Sequence, residues 1–122
     1  MKKTLILSLI LLVGGMAQAQ SNHLRDGDAA FAAGLYKQAL DHYRKAARQQ
    51  GSMDLTYKMG DAARMSNNYS KAVEYYREVA TTIYHVDYPD VFYRLAEMYK
   101  CNGQPDSASV WLGRYLSSVP VG

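Results

Sequence analysis

Cysteine is almost missing from this chain. Cys101 is the only one in 122 residues, so no disulfide can form within one molecule. A long hydrophobic run is missing too. The apolar stretch from Thr4 to Val13 covers ten residues, and a helix that spans a bilayer needs about twenty. There is no cluster of basic residues, which removes the electrostatic footprint of a nucleic-acid or anionic-membrane binder. No stretch alternates apolar with polar residues in the way that argues for a strand. Glycine-rich phosphate loops and nucleophile elbows are absent as well.

What is present begins with an address. Lys2 and Lys3 form a short positive region, Leu5 to Val13 an apolar run, and Ala17-Gln18-Ala19 a small-x-small site ahead of Gln20. This predicts a secretory signal peptide over residues 1–19, cleaved after Ala19. It implies a periplasmic or secreted protein with no membrane span. No cysteine follows the cleavage point, so a lipid anchor has no attachment site there. Removal of Lys2 and Lys3 leaves twelve basic against eleven acidic side chains, a net charge of +1 rather than +3. With 48% hydrophobic residues, the remaining 103 can build a core of their own.

Those 103 residues repeat. Gly27, Gly60 and Ala96 mark one position. Gly34, Asn67 and Gly103 lie seven residues further on, Ala39, Ala72 and Ala108 twelve, and Tyr43, Tyr76 and Leu112 sixteen. The copies are offset by 33 and 36 residues, and the extra residues fall around Thr81 to Tyr88. A period near 34 is the mark of stacked helical hairpins. Small residues at 27, 60, 96, 39, 72 and 108 allow close approach of paired helices. Gly or Asn at 34, 67 and 103 suits the left-handed conformation that ends a helix. Pro105 suits a first helical turn. The periodicity predicts an all-α fold with helices over 21–33, 36–49, 53–66, 69–83, 89–102 and 105–117. The repeats span about 20–52, 53–88 and 89–117, within one domain over 20–122.

The stretches Gly34-Leu35-Tyr36-Lys37-Gln38-Ala39-Leu40-Asp41-His42-Tyr43 and Asn68-Tyr69-Ser70-Lys71-Ala72-Val73-Glu74-Tyr75-Tyr76 resemble tetratricopeptide (TPR) repeats. The resemblance implies three hairpins stacked as a short right-handed solenoid, acting as a protein-binding scaffold. Tyr57-Lys58-Met59-Gly60-Asp61-Ala62-Ala63 and Tyr93-Arg94-Leu95-Ala96-Glu97-Met98-Tyr99-Lys100 are similar to the N-terminal repeats of Bacteroidetes envelope proteins. In those proteins an OmpA-like, peptidoglycan-binding domain follows, and some members serve type IX secretion. An alternative reading of the chain is therefore the truncated front end of such a protein, with a structural role. The peptidoglycan-binding activity itself does not carry over to the residues present.

In the family, the first helices of successive hairpins line a groove that receives a partner protein or peptide. The corresponding residues here are Leu24, Arg25, Asp28 and Phe31, then Tyr57, Lys58, Asp61 and Arg64, then Tyr93, Arg94, Glu97 and Lys100. Their charges also suit ordinary intrahelical ion pairs, which contribute only about 0.2–0.5 kcal/mol each. Asp61 and Glu97 stand where a carboxylate clamp carries asparagine, so that grip is not expected. A second docking face is offered by Trp111, Leu112, Tyr115 and Leu116, left uncapped at the last hairpin and open to a partner or to self-association.

Catalysis is not expected, nor is a cofactor or a metal. His23, His42 and His85 are scattered and read as surface residues. Asp41 and His42 are sequence neighbours that point to different sides of a helix. Cys101 has no evident base nearby and reads as an inert, buried thiol.

Overall fold

A computed structural model describes residues 22–120, and within them every regular element is helical. The signal peptide read over residues 1–19, with its cleavage after Ala19, lies outside the described residues. Residues 22–32 form α1. It is followed by α2 (Tyr36–Gln49), α3 (Met53–Met65), α4 (Tyr69–Ala80), a 3-10 turn over Ile83–Asp87, α5 (Val91–Cys101) and α6 (Pro105–Ser118). The chain divides into two units, one ending at Gly51 and the other starting at Ser52.

Three helix ends share one geometry. Gly34, Asn67 and Gly103 take φ of 78°, 61° and 75°. At each, the next amide reaches back five residues: Leu35 N–H to the Ala30 carbonyl at 2.8 Å, Asn68 to Ala63 at 2.8 Å, and Gln104 to Tyr99 at 2.9 Å. This left-handed closure satisfies carbonyls that the helix end would otherwise leave open, and it reverses the chain within a few residues. The helix that follows then runs back along the one before. α2, α4 and α6 start without any side-chain cap, since the turn itself sets their direction. Pro105 occupies the start of α6, where its missing N–H costs nothing.

Tyrosine set on glycine closes the hairpins. A Cβ added to Gly27 would lie 2.6 Å from the Tyr43 ring, and one added to Gly60 would lie 2.7 Å from Tyr76. In the first unit, Ala30, Ala39, Leu40, Tyr43 and Ala46 form the core. In the second, α4 packs on both α3 and α5, and α5 packs on α6. Its core runs through Leu55 and Met59, then Val73, Tyr76 and Val79, then Val91, Leu95 and Met98, and reaches Trp111 on α6. Full burial of a side chain such as Leu95 contributes about 1.5–3 kcal/mol.

The expected helix over 69–83 stops three residues early. The Thr81 hydroxyl donates to the Arg77 carbonyl at 2.8 Å and Thr82 to Val79 at 2.9 Å, which occupies the last acceptors of α4. The additional residues of the third repeat then form the 3-10 turn, where Ile83 and Val86 are largely exposed. α5 accordingly starts at Val91 rather than at 89. No described helix is long and apolar enough to cross a membrane.

Candidate functional site

α3 begins at Ser52, whose side chain accepts from the Leu55 amide at 3.1 Å and fixes the helix start. From there the helical period brings Tyr57, Lys58, Asp61 and Arg64 to one side. Tyr76 reaches this group from beneath, across Gly60. Its hydroxyl donates to Asp61 Oδ1 at 2.5 Å and accepts from Arg64 Nε at 3.0 Å. Arg64 Nη2 also lies 3.8 Å from Asp61 Oδ1. Burial pushes the Asp61 carboxyl above its ordinary range, against the opposing pull of the Tyr76 hydroxyl and Arg64. Burial also raises the Tyr76 phenol, reinforced by the Asp61 charge, so Tyr76 stays a neutral donor.

α5 carries the matching row. Arg94 stands 3.9 Å from Glu97 on its own helix. The field of Arg94 reaches Asp61, and that of Glu97 reaches Arg64, so charges of opposite sign interleave across the two helices. Tyr57 is half-buried, stacked on Tyr88 with ring centroids 4.7 Å apart and tilted against Tyr76 at 5.6 Å. Its phenol is raised, first by burial and then by Asp61. Tyr93 is exposed at the other end of the row, its ring 5.4 Å from Tyr115. Lys100 is exposed, and Lys58 lies 4.0 Å from Asp54. These eight side chains and Tyr88 form a band of tyrosine and mixed charge along α3 and α5.

No protein-family model and no curated protein matches the chain. The assignment of a site therefore rests on the residues themselves. In the first unit, Asp28 accepts from the Tyr43 hydroxyl at 2.7 Å, which repeats the Asp61 arrangement. Arg25 donates to Asn22 at 3.0 Å, and Phe31 meets Tyr36 edge-on at 5.1 Å. Leu24 is half-buried.

The second docking face needs correction. Trp111 is buried, at 8% exposure, and does not join an exposed patch. It packs on Phe92 at 5.7 Å, and the Arg114 guanidinium covers it at 4.5 Å. Tyr115 is half-buried on Tyr93, whereas Leu112 and Leu116 are exposed. A cleft of about 370 Å³ opens between α5 and α6, lined by Tyr93, Ala96, Glu97, Lys100, Pro105 and Leu112 among others. Another of about 430 Å³ lies between the 3-10 turn and the ends of α5 and α6.

Cys101 also departs from expectation, since it is exposed. The buried residues of α5 are Val91, Leu95, Ala96, Met98 and Tyr99. The next position in that series is 102, so residue 101 faces away from the core. The histidines are half-buried rather than on the open surface. His85 stacks on Phe92 at 5.0 Å with Nδ1 2.7 Å from the Thr82 carbonyl, and His42 Nδ1 is buried without a hydrogen-bond partner. Among the described residues, no group of three or more His, Cys, Asp or Glu is placed to hold a metal ion.

Sequence reasoning missed the polar work of Tyr43 and Tyr76 and the stacking of Tyr88 on Tyr57. For the first two the signal was present. An acid follows each glycine, and the tyrosine comes fifteen residues after that acid, at Asp28 and Tyr43 and again at Asp61 and Tyr76. The third copy has Glu97 and Leu112 at those places, and it has alanine where the others have glycine.

Proposed function

We propose that the chain is a non-catalytic TPR-type module whose three hairpins stack as a short right-handed solenoid. Exported by the signal peptide at 1–19, it serves as an adaptor or scaffold that holds a protein partner of the cell envelope, such as a component of a secretion complex. The α3–α5 band is where that partner binds.

The observation that carries this reading is the way the band is held. Asp61 and Arg64 are tied from beneath by a buried phenol, and Tyr57 is clamped between Tyr88 and Tyr76. A surface whose side chains are already fixed loses less entropy when a partner arrives. Tyrosine adds rigid contact area with a polar tip. Interleaved charges of both signs select a partner of complementary pattern rather than a polyanion or a polycation. Within the band Asp61 pairs with Arg64, Glu97 pairs with Arg94, and Tyr57 stacks on Tyr88.

The test is affinity capture from detergent-solubilised envelope, with bound proteins identified by mass spectrometry at low and high salt. Replacing Tyr57 and Tyr93 together by Ala should remove the partner while helicity by circular dichroism is kept. Because Tyr57 is half-buried, the exposed pair Tyr93→Ala with Lys100→Ala provides a second variant that spares the core. Undiminished capture by both variants, each normally helical, would exclude the band as the binding surface.

A further inference from the structure

Each repeat carries an acid in the middle of its first helix, and in two of the three a phenol from the second helix answers it. Tyr43 donates to Asp28 at 2.7 Å and Tyr76 to Asp61 at 2.5 Å, each ring packed on the glycine that precedes the acid. In the second hairpin a cation completes the grip, because Arg64 Nε donates to the same Tyr76 oxygen at 3.0 Å. The third hairpin keeps the acid as Glu97 and the cation as Lys100, at the positions of Asp61 and Arg64, but it has no ring between them. Leu112 stands where Tyr76 would be.

A cleft lies beside these groups. It measures about 370 Å³, and its lining joins Tyr93, Ala96, Ala108 and Leu112 to Glu97 and Lys100. Pockets for small ligands begin at about 300 Å³. Glu97 has Arg94 at 3.9 Å, beyond hydrogen-bond length, and Lys100 is exposed. A mostly apolar cleft therefore carries one group that only accepts and one that only donates.

The pairing narrows the guest. A carboxylate or phosphate would meet Glu97 and an ammonium or guanidinium would meet Lys100, so an ion of either sign faces a like charge. An indole donates without accepting, and a phenylalanine ring does neither. A phenol does both from one oxygen and brings an aromatic ring to the apolar lining. Its seat differs from that of Tyr76 in one respect. A Cβ on Gly60 would stand 2.7 Å from the Tyr76 ring, and Ala96 carries that Cβ, so a guest ring lies further out, beside Leu112 and the exposed Tyr93. Glu97 is one methylene longer than Asp61, which extends the reach of the acceptor.

We infer that the cleft between α5 and α6 takes a tyrosine side chain of the partner protein, its hydroxyl donating to Glu97 and accepting from Lys100 as Tyr76 does with Asp61 and Arg64. This rests on the adaptor reading and names the side chain that the partner presents.

Titration of the purified chain with N-acetyl-tyrosinamide and, separately, with N-acetyl-phenylalaninamide tests it, since the two probes differ by one hydroxyl. Amide NMR of the isotope-labelled chain should show shifts centred on Glu97, Lys100 and Leu112, with the tyrosine probe bound at least about tenfold more tightly. Glu97→Ala should bring the two probes to equal affinity. The double change Ala96→Gly with Leu112→Tyr rebuilds the clasp of the other hairpins and should abolish the response to both probes while helicity by circular dichroism is kept. No response at the cleft, equal binding of the two probes by the wild type, or a preference that Glu97→Ala leaves intact would each overturn the proposal. The probes need no envelope protein, so these results stand apart from the adaptor reading. Failure to capture any partner, with the probes still discriminated, would count against that reading alone.

Discussion

Gly60 and Tyr76 form a pair whose fit can be measured. Changing Gly60 to Ala has two opposing effects. Helix propensity favours Ala by about 0.8–1.0 kcal/mol within a helix. The new methyl, however, would stand 2.7 Å from two carbons of the Tyr76 ring. That ring is fully buried and held by Asp61, Arg64 and Tyr57, so it has nowhere to retreat. Overpacking of this kind costs about 1–3 kcal/mol. The balance is a net loss of up to about 2 kcal/mol.

The third hairpin indicates how to relieve the clash, since it pairs Ala96 with Leu112 at the same two positions. Tyr76→Leu alone removes the phenol from Asp61 and Arg64 and leaves space, and it should be destabilising. In that background the second change, Gly60→Ala, no longer meets a ring. It should then be neutral or stabilising by up to about 1 kcal/mol. Urea denaturation of the wild type, both single variants and the double variant gives the cycle. A change of sign for Gly60→Ala between the two backgrounds is expected. If its effect is the same in both to within about 0.5 kcal/mol, the two positions are not coupled and the close-packing account fails. Gly27 with Tyr43 offers the same cycle in the first unit.

Gly103→Ala should destabilise by about 1 kcal/mol although a Cβ there touches nothing, because its φ of 75° is costly for any residue with a side chain. Gly113→Ala, equally free of contacts but inside α6, should stabilise the protomer by up to about 1 kcal/mol, and thermal melts at low protein concentration compare the two. A third expectation concerns pH. Since burial raises the Asp61 carboxyl, the folded chain holds that proton more tightly than the unfolded chain does. The contribution is therefore fully favourable below the ordinary value of 3.8 and is lost as pH rises through the folded value. Asp61→Asn should remove this decline from a pH series of urea midpoints, relative to wild type. A variant that instead loses stability as pH rises, compared with wild type, would show that the carboxylate is favoured in the fold.

Much of the backbone was legible because it depends on local chemistry. Gly34, Asn67 and Gly103 were readable as helix ends, since few residues tolerate positive φ and the same spacing recurs three times. The close approach at Gly27 and Gly60 was readable because a small residue recurs there in every copy. The end of α4 was not. Thr81 and Thr82 can sit within a helix or turn back onto its carbonyls, and only the packing of the following segment decides between the two. The fate of Trp111 was hidden differently. Its exposure depends on whether residue 92, nineteen positions earlier, offers a ring to pack on. In the fold His23 pairs with His42, and Phe92 with Trp111. In the sequence the middle copy obscures it, with Thr56 opposite Tyr75.

The band was legible as a set of residues but not as a structure. Reading Asp28, Asp61 and Arg64 as groove charges or as intrahelical ion pairs missed the tyrosine hydroxyls that come from the second helix of each of the first two hairpins. The consequence reaches beyond those three residues. In the first two hairpins a phenol ties the acid to the hairpin interior. Where Leu112 replaces the phenol, Glu97 has only Arg94 at 3.9 Å among the ion pairs on its helix, and a cleft opens beside it. The substitution of Ala and Leu for Gly and Tyr therefore does two things at once. It keeps the helices packed without the clasp, and it exchanges a ring that would be tied inward for an apolar side chain that remains 41% exposed. The third hairpin gives up the polar anchor of the other two and leaves Leu112 exposed beside the charges of Glu97 and Lys100.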